Sequence, residues 1–318
     1  MKICISTPPP PGSRKGNRIT ALRWAGILKS LGHRVKIVRE CRSRNDDVLV
    51  ALHARKSHPS IQYWYREHPD RPLIVALTGT DLYGDLHTSR RAQESLELAT
   101  RLIVLQRKGL DELPKKLRSR AVVIHQSVEP LRNIPPPRRG VFEVCVLGHL
   151  RPVKDPFRAA MAARLLPASS RIQITHVGGA LSGAMARRAR DEQQRNPRYR
   201  WLGELPRWKA IRVLARSRLL VLSSKMEGGA NAISEAVVVG TPVIASRISG
   251  SIGMLGADYR GYFDVGDTAA LATMLARSES DERFYRRLSR QCARLAPLFE
   301  PDRERQAWRL LLSKIRER

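Results

Sequence analysis

The start of the chain contains a continuous apolar run, followed by apolar residues at helical spacing and then by a second predicted strand. Lys2 to Thr7 is an apolar run of strand length, and a loop rich in proline and glycine follows it. Apolar residues then recur on one face of a predicted helix, at Ile19, Leu22, Ala25, Leu28 and Leu31. His33 to Val38 is the next predicted strand. The chain therefore begins with a β-loop-α-β unit, the start of a parallel sheet.

The same alternation continues on both sides of a proline-rich linker. Pro135 to Gly140 contains three consecutive prolines, which neither continue a helix nor donate to a sheet ladder. Further strands are predicted before this linker at Asp47–Leu52, Leu73–Leu77, Leu102–Leu105 and Val122–His125. Strands are predicted after it at Phe142–Leu147, Ile172–Val177, Tyr199–Leu202, Leu219–Ser223 and Pro242–Ala245. The pattern predicts an α/β protein with two Rossmann-like domains that face each other across a cleft.

The predicted boundaries follow from this linker and from the last helix. We expect an N-terminal domain over residues 1–138 and a C-terminal domain over residues 139–299. Residues 300–318 carry Trp308, Leu310, Leu311 and Ile315 on an arginine-rich helical pattern, and we expect this helix to pack back on the body. At the other end, Asn17 is placed to cap the first helix and Gly32 to end it.

The composition is that of a folded protein and excludes several classes. The hydrophobic share is 42 % and the charged share 27 %, which is not a disordered composition. The sequence has neither an apolar run of roughly 18 residues nor a signal-peptide pattern, so a cytoplasmic protein without a membrane span is expected. The four cysteines are scattered without a CxxC motif, so reduced core thiols are expected rather than a metal site.

The formal charge of +29 at pH 7 is extreme. Such a field attracts phosphate-bearing ligands, nucleic acid or an anionic membrane surface. Arginine, however, is spread over nearly every segment, and no basic block with interleaved aromatic residues stands out. This spread favours a compositional origin of the charge, and no nucleic-acid partner is expected. A basic protein that binds nucleic acid or a membrane surface on a degenerate fold stays as an alternative of another class.

The strongest chemical signal is the segment 226–235, MEGGANAISE, between a predicted strand and a predicted helix. Gly228 and Gly229 let the backbone approach a ligand, and the amides that open the helix point at an anion such as a diphosphate. Glu227 and Glu235 are eight positions apart, so one carboxylate can reach a sugar and the other a ribose diol. The predicted donor site also includes Ala230, Asn231, Ala232 and Ser234. The alternative is a capped surface helix with two solvated glutamates.

The second signal is a pair of cations, Arg151 and Lys154, in the loop after the first strand of the second half. Two cations there can neutralise the charge that develops on a departing diphosphate. Since no DxD pair or cluster of carboxylate and histidine offers a cation site, we expect these side chains to replace a metal ion. The alternative is a pair of ordinary surface cations.

The third signal lies in the first βα turn, where amides and a helix N-terminus can bind an anion. The predicted acceptor residues of this turn are Gly12, Ser13, Arg14, Lys15, Gly16 and Asn17. The turn lacks the GxGxxG fingerprint, which disfavours a dinucleotide, and a plain loop is the alternative.

Further candidates follow predicted strands, where ligands bind in open α/β sheets. His53 is a candidate catalytic residue, although a lone histidine is often structural. Thr78, Gly79, Thr80 and Asp81 are candidate acceptor-binding residues. Gly203, Glu204 and Leu205 are placed to hold the nucleotide base of the donor through their backbone.

These motifs resemble the retaining GT-B glycosyltransferases of the glycogen synthase and sucrose synthase type. In that type a glutamate pair eight positions apart and an Arg/Lys pair bind the donor, and Glu227, Glu235, Arg151 and Lys154 match those roles. Within it, the whole chain is similar to the selenosugar synthase family of selenoneine biosynthesis. The resembling segments are residues 9–35, 49–57 (LVALHARKS), 76–85 (ALTGTDLYGD), 144–157 (VCVLGHLRPVKDPF) and 227–246.

The resemblance implies a metal-independent transfer from UDP-N-acetylglucosamine, or UDP-glucose, to selenophosphate. Selenium would attack the anomeric carbon, and loss of UDP and phosphate would yield a 1-selenosugar. No cofactor is expected, because the UDP-sugar is a substrate. An enzyme that produces selenophosphate is a candidate partner. Transfer to another small or lipid acceptor is the alternative within the same class.

Overall fold

The computed structural model describes residues 1–13, 16–79 and 81–316 of the chain, and it contains two six-stranded parallel sheets. The strands of the first sheet are β1 (Lys2–Ser6), β2 (Arg34–Val38), β3 (Val48–Leu52), β4 (Leu73–Leu77), β5 (Arg101–Val104) and β6 (Ala121–Val123). The strands of the second are β7 (Phe142–Leu147), β8 (Ile172–Val177), β9 (Tyr199–Trp201), β10 (Leu219–Leu222), β11 (Val243–Ser246) and β12 (Tyr262–Phe263).

The helices that follow the strands make each sheet part of an α/β unit. They are α1 (Gly16–Ser30), α2 (His58–Glu67), α3 (Leu86–Thr88), α4 (Arg90–Leu98), α5 (Arg158–Arg164), α6 (Gly183–Arg195), α7 (Arg207–Arg216), α8 (Asn231–Val238), α9 (Ser249–Leu255), α10 (Thr268–Ser280), α11 (Glu282–Ala293) and α12 (Pro301–Arg316). The predicted α/β class is confirmed.

The order of the strands places several of the candidate residues at two topological switch points. The first sheet has the order β2-β1-β3-β4-β5-β6, so β2 lies on one side of β1 and the later strands lie on the other. The second sheet has the order β12-β11-β10-β7-β8-β9, so β8 and β9 lie on one side of β7 and the later strands lie on the other. In open α/β sheets, ligands bind beyond the carboxyl ends of the strands at such points. The loops after β1, β3, β7 and β10 lie there.

Contacts within the chain define two compact units. The first comprises residues 1–127, 227–229 and 300–318, and the second comprises residues 128–226 and 230–299. The first unit therefore contains the first sheet with α12, and the second contains the second sheet. The domain bounds predicted from the linker at Pro135 to Gly140 stay a prediction.

The strands β3, β4 and β10 are continuous apolar runs because helices cover both faces of each sheet. All five residues of β3 and all five of β4 are buried. One core of the first unit packs beneath α2 and α4, and another beneath α1 and α12. The second unit has a single core around β7, β8, β10 and β11.

The buried face of α1 differs from the predicted one by a rotation of the helix. Trp24, Ala25 and Leu28 are buried, whereas Leu22 is 53 % exposed. The indole of Trp24 packs edge to face on Trp308 of α12, with ring centroids 5.0 Å apart. This large aromatic pair sets the buried face, because it removes more apolar area from water than a leucine at position 22 would.

The ends of α1 show one confirmed prediction and one that was wrong. Gly32 follows the helix with φ of 84°, the left-handed conformation expected at a helix end. Asn17 is not the cap, because α1 begins at Gly16 and Asn17 lies inside its first turn.

A buried glutamate fixes α12 within the first unit. Glu304 is 2 % exposed and accepts hydrogen bonds from the indole N–H of Trp24 at 2.8 Å and from the backbone N–H of Ser127 at 2.8 Å. The hydroxyl of Ser127 donates to the same carboxylate at 2.5 Å. A charged acceptor bonded to several donors in a buried site makes strong hydrogen bonds, so α12 is held firmly at this point.

The four cysteines, Cys4, Cys41, Cys145 and Cys292, are free thiols, and all of them are buried. Over residues 1–13, 16–79 and 81–316, no helix combines the length and the apolar character needed to cross a membrane.

Candidate active site

The loops after β7, β8 and β9 lie backbone against backbone at the end of the second sheet. The N–H of Gly178, after β8, donates to the carbonyl of Gly203 at 2.8 Å. The φ of Gly178 is 156°, and a Cβ atom built on it would lie 1.9 Å from the carbonyl oxygen of Gly148. Only glycine therefore fits at position 178, and the three loops are held together by groups that every residue carries.

A buried histidine at the end of β8 links the loop after β7 to β9. The imidazole of His176 donates through Nε2 to the carbonyl of Gly148 at 3.0 Å, and Nδ1 lies 3.0 Å from the hydroxyl of Tyr199. Burial lowers the pKa of His176 to about 4. The ring is thus neutral at pH 7 and can act as donor on one side and acceptor on the other.

The predicted cation pair lies in the loop from Gly148 to Asp155, which is bonded to the loop after β10. Arg151 precedes a short 3-10 helix that ends at Lys154. The hydroxyl of Ser223 donates to the carbonyl of Asp155 at 2.8 Å, and the N–H of Lys225 donates to the carbonyl of Val153 at 2.8 Å. The loop that carries both cations is therefore fixed to the loop that leads into segment 226–235.

Asp155 itself adopts a left-handed conformation, with φ of 44°. Its carboxylate lies 2.7 Å from Nε of Arg158, which also donates to the carbonyl of Gly266 and the hydroxyl of Thr268. The side chain after Lys154 is thus turned toward a partner in the helix that follows. This geometry holds the end of the cation loop in one conformation.

The predicted glutamates flank the start of α8. Ala230 precedes this helix and provides no side-chain cap, and the N-terminus of an α-helix carries the positive end of the helix dipole. Glu227 and Glu235 are each less than a tenth exposed. Oε1 of Glu235 lies 2.9 Å from Nη2 of Arg207, the first residue of α7. Arg207 therefore orients this carboxylate before any ligand binds.

The other predicted donor residues lie in the same loops and helix. Gly203 has φ of 69°, and Glu204 is exposed beside Gly179, where a Cβ would lie 3.2 Å from Cβ of Glu204. Leu205 is half-buried against the core. Within α8, Ser234 donates to the carbonyl of Asn231 at 3.0 Å, and Ala232 is buried. Their roles in donor binding stay predictions.

In the first sheet, His53 follows β3 in a strained conformation inside a buried charged cluster. Its φ is 76°, and the residue is 3 % exposed. Nδ1 lies 3.9 Å from Oδ2 of Asp81, and Nε2 lies 3.7 Å from Oδ2 of Asp85. Asp85 is also 2.9 Å from Nε of Arg55. Strained conformations of this kind persist where the surroundings fix them, often at functional sites.

Burial lowers the pKa of His53, and the charge of Asp81 opposes that shift. The imidazole is therefore neutral at pH 7. Its Nε2 is buried and has no hydrogen-bond partner within the described part of the chain. A buried polar atom of this kind is available to a ligand.

Asp81 is placed as a support of this cluster. It is fully buried, its Oδ2 accepts from the N–H of Ala54 at 3.2 Å, and its Oδ1 accepts from the N–H of Gly79 at 2.8 Å. The carboxylate thus joins the ends of β3 and β4. Its predicted role in acceptor binding stays a prediction.

Three other predicted acceptor residues are brought together in the first unit. The hydroxyl of Thr78 donates to Oδ1 of Asn17 at 2.8 Å. Gly228, which belongs to the same unit, lies so close to Gly79 that a Cβ on Gly228 would be 2.6 Å from the Cα of Gly79. A Cβ on Gly229 would lie 2.6 Å from the Cβ of Leu105. Glycine at both positions is required by these close approaches.

The remaining predicted residues lie in or beside the first βα turn. Gly12 is exposed with φ of 79°, and Ser13 donates from its N–H to the carbonyl of Pro10 at 3.2 Å. Gly16 begins α1. Arg14, Lys15 and Thr80 lie outside the described residues.

Sequence reasoning missed several residues of these sites. Gly178, His176, Arg207 and Asp85 were not predicted. The pair Gly178-Gly179 directly after a predicted strand was an available signal for Gly178. The other three act through neighbours that are distant in sequence, and no local pattern identifies them.

One group of side chains could hold a metal ion among the residues that the structure describes. Donor atoms of Cys4, Cys41 and Asp46 lie within 4.8 Å of one another, and all three residues are buried. The ammonium of Lys36 lies 2.7 Å from Oδ2 of Asp46. A cationic side chain thus already neutralises the carboxylate there.

The two parallel α/β sheets, with their candidate residues at the carboxyl ends of the strands, define a GT-B glycosyltransferase fold. The chain belongs to the family described as glycosyl transferases group 1, whose profile matches residues 127–294. Membership of this family indicates a transferase enzyme. No curated protein matches the sequence.

Solved structures show the same fold along the whole chain. HepE from Anabaena, determined in complex with UDP and glucose, is 16 % identical with a TM-score of 0.78, over 99 % of this chain and 100 % of that one. Sucrose-phosphate synthase from Thermosynechococcus elongatus is 16 % identical with a TM-score of 0.74, over 98 % and 99 %. A glycosyltransferase from Rickettsia africae is 13 % identical with a TM-score of 0.74, over 99 % and 98 %.

Proposed function

We propose that this protein is a selenosugar synthase that transfers N-acetylglucosamine from its UDP-sugar to selenophosphate, without a metal ion. Its family supports the glycosyl transfer. The complex of HepE with UDP and glucose supports a UDP-sugar as donor. The long segments that resemble the selenosugar synthase family support the acceptor.

The observation that carries the donor assignment is the attachment of the cation loop to the loop after β10. Because Ser223 and Lys225 bond to the backbone of residues 153–155, the cations and the start of segment 226–235 keep one arrangement. Electrostatic stabilisation of a transition state depends on groups that are held in place beforehand. Arg151 and Lys154 would thus neutralise the charge that grows on the departing UDP.

The other donor contacts follow the chain. Glu235, oriented by Arg207, would accept from the ribose hydroxyls, and the positive N-terminus of α8 would face the diphosphate. Glu227 would contact the sugar. The backbone of residues 203–205 would hold the uracil base.

The proposed reaction needs no general base. A lone pair of selenium in selenophosphate attacks the anomeric carbon, the bond between that carbon and the UDP oxygen breaks, and UDP leaves with the electron pair. Water then cleaves the phosphorus–selenium bond, which releases phosphate and leaves the 1-selenosugar. Since the nucleophile is already anionic, no proton has to be removed before attack.

His53 would position the sugar or the acceptor in this reaction. Its neutral imidazole and the unpartnered Nε2 fit a hydrogen bond to a substrate oxygen. The basic turn over residues 12–17 would attract the anionic acceptor.

A second candidate keeps the UDP-sugar donor and changes the other substrate. HepE was determined in complex with UDP-glucose as well as with UDP and glucose. Transfer of glucose to another small or lipid acceptor is therefore the alternative.

The direct test is an anaerobic incubation of the protein with UDP-N-acetylglucosamine and fresh selenophosphate. Mass spectrometry should show a selenium isotope pattern on a sugar, and UDP should appear in equal amount. UDP-glucose, and phosphate in place of selenophosphate, are the matched controls.

The outcomes separate donor from acceptor. Release of UDP at the same rate with selenophosphate, with phosphate or with no acceptor would reject selenophosphate and leave the glycosyltransferase. Absence of UDP release from folded protein with either UDP-sugar would reject the proposed donor as well.

A further inference from the structure

The exposed face of α11 in the second unit is a row of arginines. Arg283, Arg286, Arg287 and Arg290 are exposed on the helix, and Arg294 is exposed directly after it. This spacing of three, four, seven and eleven positions from the first arginine places all five on one face. The row extends over roughly 16 Å at the rise of an α-helix.

The opposite face of α11 is committed to the core of the unit. Phe284, Leu288 and Cys292 are buried there. Any polar residue on the outer face would satisfy this packing. The fold therefore requires a polar face but not a cationic one.

The row carries a charge that the protein itself hardly neutralises. Nε of Arg286 lies 2.7 Å from Oε1 of Glu282, one turn earlier. The other four arginines form no ion pair or hydrogen bond through their guanidinium groups within the described residues. Like charges three and four positions apart destabilise a helix. The row thus costs the helix stability, which an anionic partner would offset.

The surface around the row is concave on both sides. A shallow cavity of about 410 Å³ is lined by Arg287, Arg290 and Arg294 together with Asp258, Arg260 and Gln291. A second, of about 500 Å³, is lined by Arg283, Arg286, Arg287, Ser289 and Arg290. Guanidinium groups that converge on a cavity suit phosphate, because each can donate two parallel hydrogen bonds to its oxygens.

We propose that this arginine row is a docking surface for a membrane that displays anionic phospholipid headgroups. Charge complementarity supports the assignment, since juxtamembrane or surface clusters of several arginines bind anionic lipid surfaces. The apolar face of α11 is buried in the protein, so the contact is electrostatic and does not insert the helix. None of the five arginines is a residue proposed for donor or acceptor binding or for catalysis, and the test of this surface does not depend on the substrate.

A nucleic acid fits the row less well. No aromatic residue is exposed on this face of α11 for stacking on bases. Glutamine side chains can read base edges. The amide of Gln291, however, accepts from the N–H of Arg260 and donates to the carbonyl of Asp258, each at 3.1 Å. The remaining groups recognise only charge.

The test is cosedimentation of the full-length protein with phosphatidylcholine vesicles that contain or lack phosphatidylglycerol. The variant Arg287→Glu/Arg290→Glu removes the centre of the row. The matched control, Arg187→Glu/Arg190→Glu, makes the same change of charge at the same spacing on exposed positions of α6. Circular dichroism shows that both variants are folded, and the release of UDP, or its binding, provides an independent measure of the active site.

The proposal predicts binding to the anionic vesicles only, loss of binding as salt is raised, and binding weakened by about tenfold or more in the α11 variant alone. Equal losses in both variants would assign the binding to net charge and overturn the proposal. Failure of the wild type to bind, preference for a short DNA duplex over vesicles, or binding of inorganic tripolyphosphate without binding of vesicles would each overturn it too.

Discussion

The two units of this protein hold their strand-end loops by different means. In the second unit, loops lie against one another through glycine backbones and carbonyl groups, as at Gly148, Gly178 and Gly203. In the first unit, the loops after β3 and β4 are joined by the side chains of Asp81 and the surrounding charged cluster.

This difference suggests which part of the protein is common to the family and which part is specific to this chain. A site built from backbone groups depends on a few glycines and tolerates other side chains around it. A site built from buried charges depends on every partner, because an unpaired buried charge is costly. The family profile covers residues 127–294, which is the region of the backbone-built loops. We therefore expect the donor to be handled as in the family and the acceptor to depend on the first unit.

The largest expected effect is the fall in turnover when the ammonium group of Lys154 is removed from the second unit. Lys154→Ala should lower turnover by roughly 100-fold or more, because one charge contact to the departing diphosphate is lost. Steady-state kinetics with UDP release as the readout measure this. Lys115→Ala, on an exposed residue of the first unit, is the control and should leave turnover unchanged. Near-normal turnover in Lys154→Ala would remove Lys154 from the donor site.

Next in size is the effect of a methyl group at the backbone contact. Gly178→Ala should destabilise the protein by about 2 kcal/mol, because its Cβ overlaps the carbonyl of Gly148. Denaturant unfolding measures the change. Gly183→Ala is the control, since the nearest atom to its Cβ is 3.5 Å away and the site is helical. Equal stability of the two variants would show that the loops are not held as described.

A smaller effect should follow from the ribose contact. Glu235→Ala should raise the KM for the UDP-sugar by about tenfold with little change in turnover, as expected when a contact is equal in ground and transition states. Arg207→Ala should raise the same KM by less, because it only orients Glu235. A fall in turnover with an unchanged KM would contradict the placement of Glu235 on the ribose.

The smallest expected effect concerns the charged cluster around His53 in the first unit. Asp81→Asn should lower the pKa of His53 further, because the charge of Asp81 raises it against burial. An NMR titration of the imidazole, with the exposed Asp70→Asn as control, measures the shift. An unchanged pKa would exclude Asp81 as an electrostatic partner of His53.

The same titration has a consequence for stability. Since the pKa of His53 in the folded protein lies below the ordinary value of 6.5, the unfolded state takes up a proton first as pH falls. The contribution of His53 to stability is therefore complete above pH 6.5 and is lost below it. His176, with a pKa of about 4, should lose its contribution between pH 6.5 and about 4.

Local sequence patterns predict where most strands and helices lie. They do not predict which residues of different elements contact one another. Strands such as β3 and β4 are continuous apolar runs bounded by polar residues, so their positions follow from local pattern. The last strand, β12, was missed because two residues carry no period. The buried face of α1 was misjudged because Trp24 pairs with Trp308, which lies almost three hundred positions later.

The candidate site shows the same limit. The loop 148–155 and segment 226–235 were found because strand, loop and helix are contiguous in sequence. That Ser223 bonds to the first loop, or Arg207 to Glu235, depends on how the strands are ordered in the sheet. Leu310 illustrates another limit of local pattern, since it is one of the apolar residues predicted on the last helix and is 54 % exposed.

Calorimetric titration of UDP into the wild type and into Lys154→Ala, Glu235→Ala and Lys115→Ala shows whether the second unit carries a UDP site. We expect one UDP bound per chain in the wild type and in Lys115→Ala, and clearly weaker binding in the other two variants. Absence of UDP binding to the folded wild type, or equal affinity in all four proteins, would contradict a UDP-sugar site built on the loops of the second sheet.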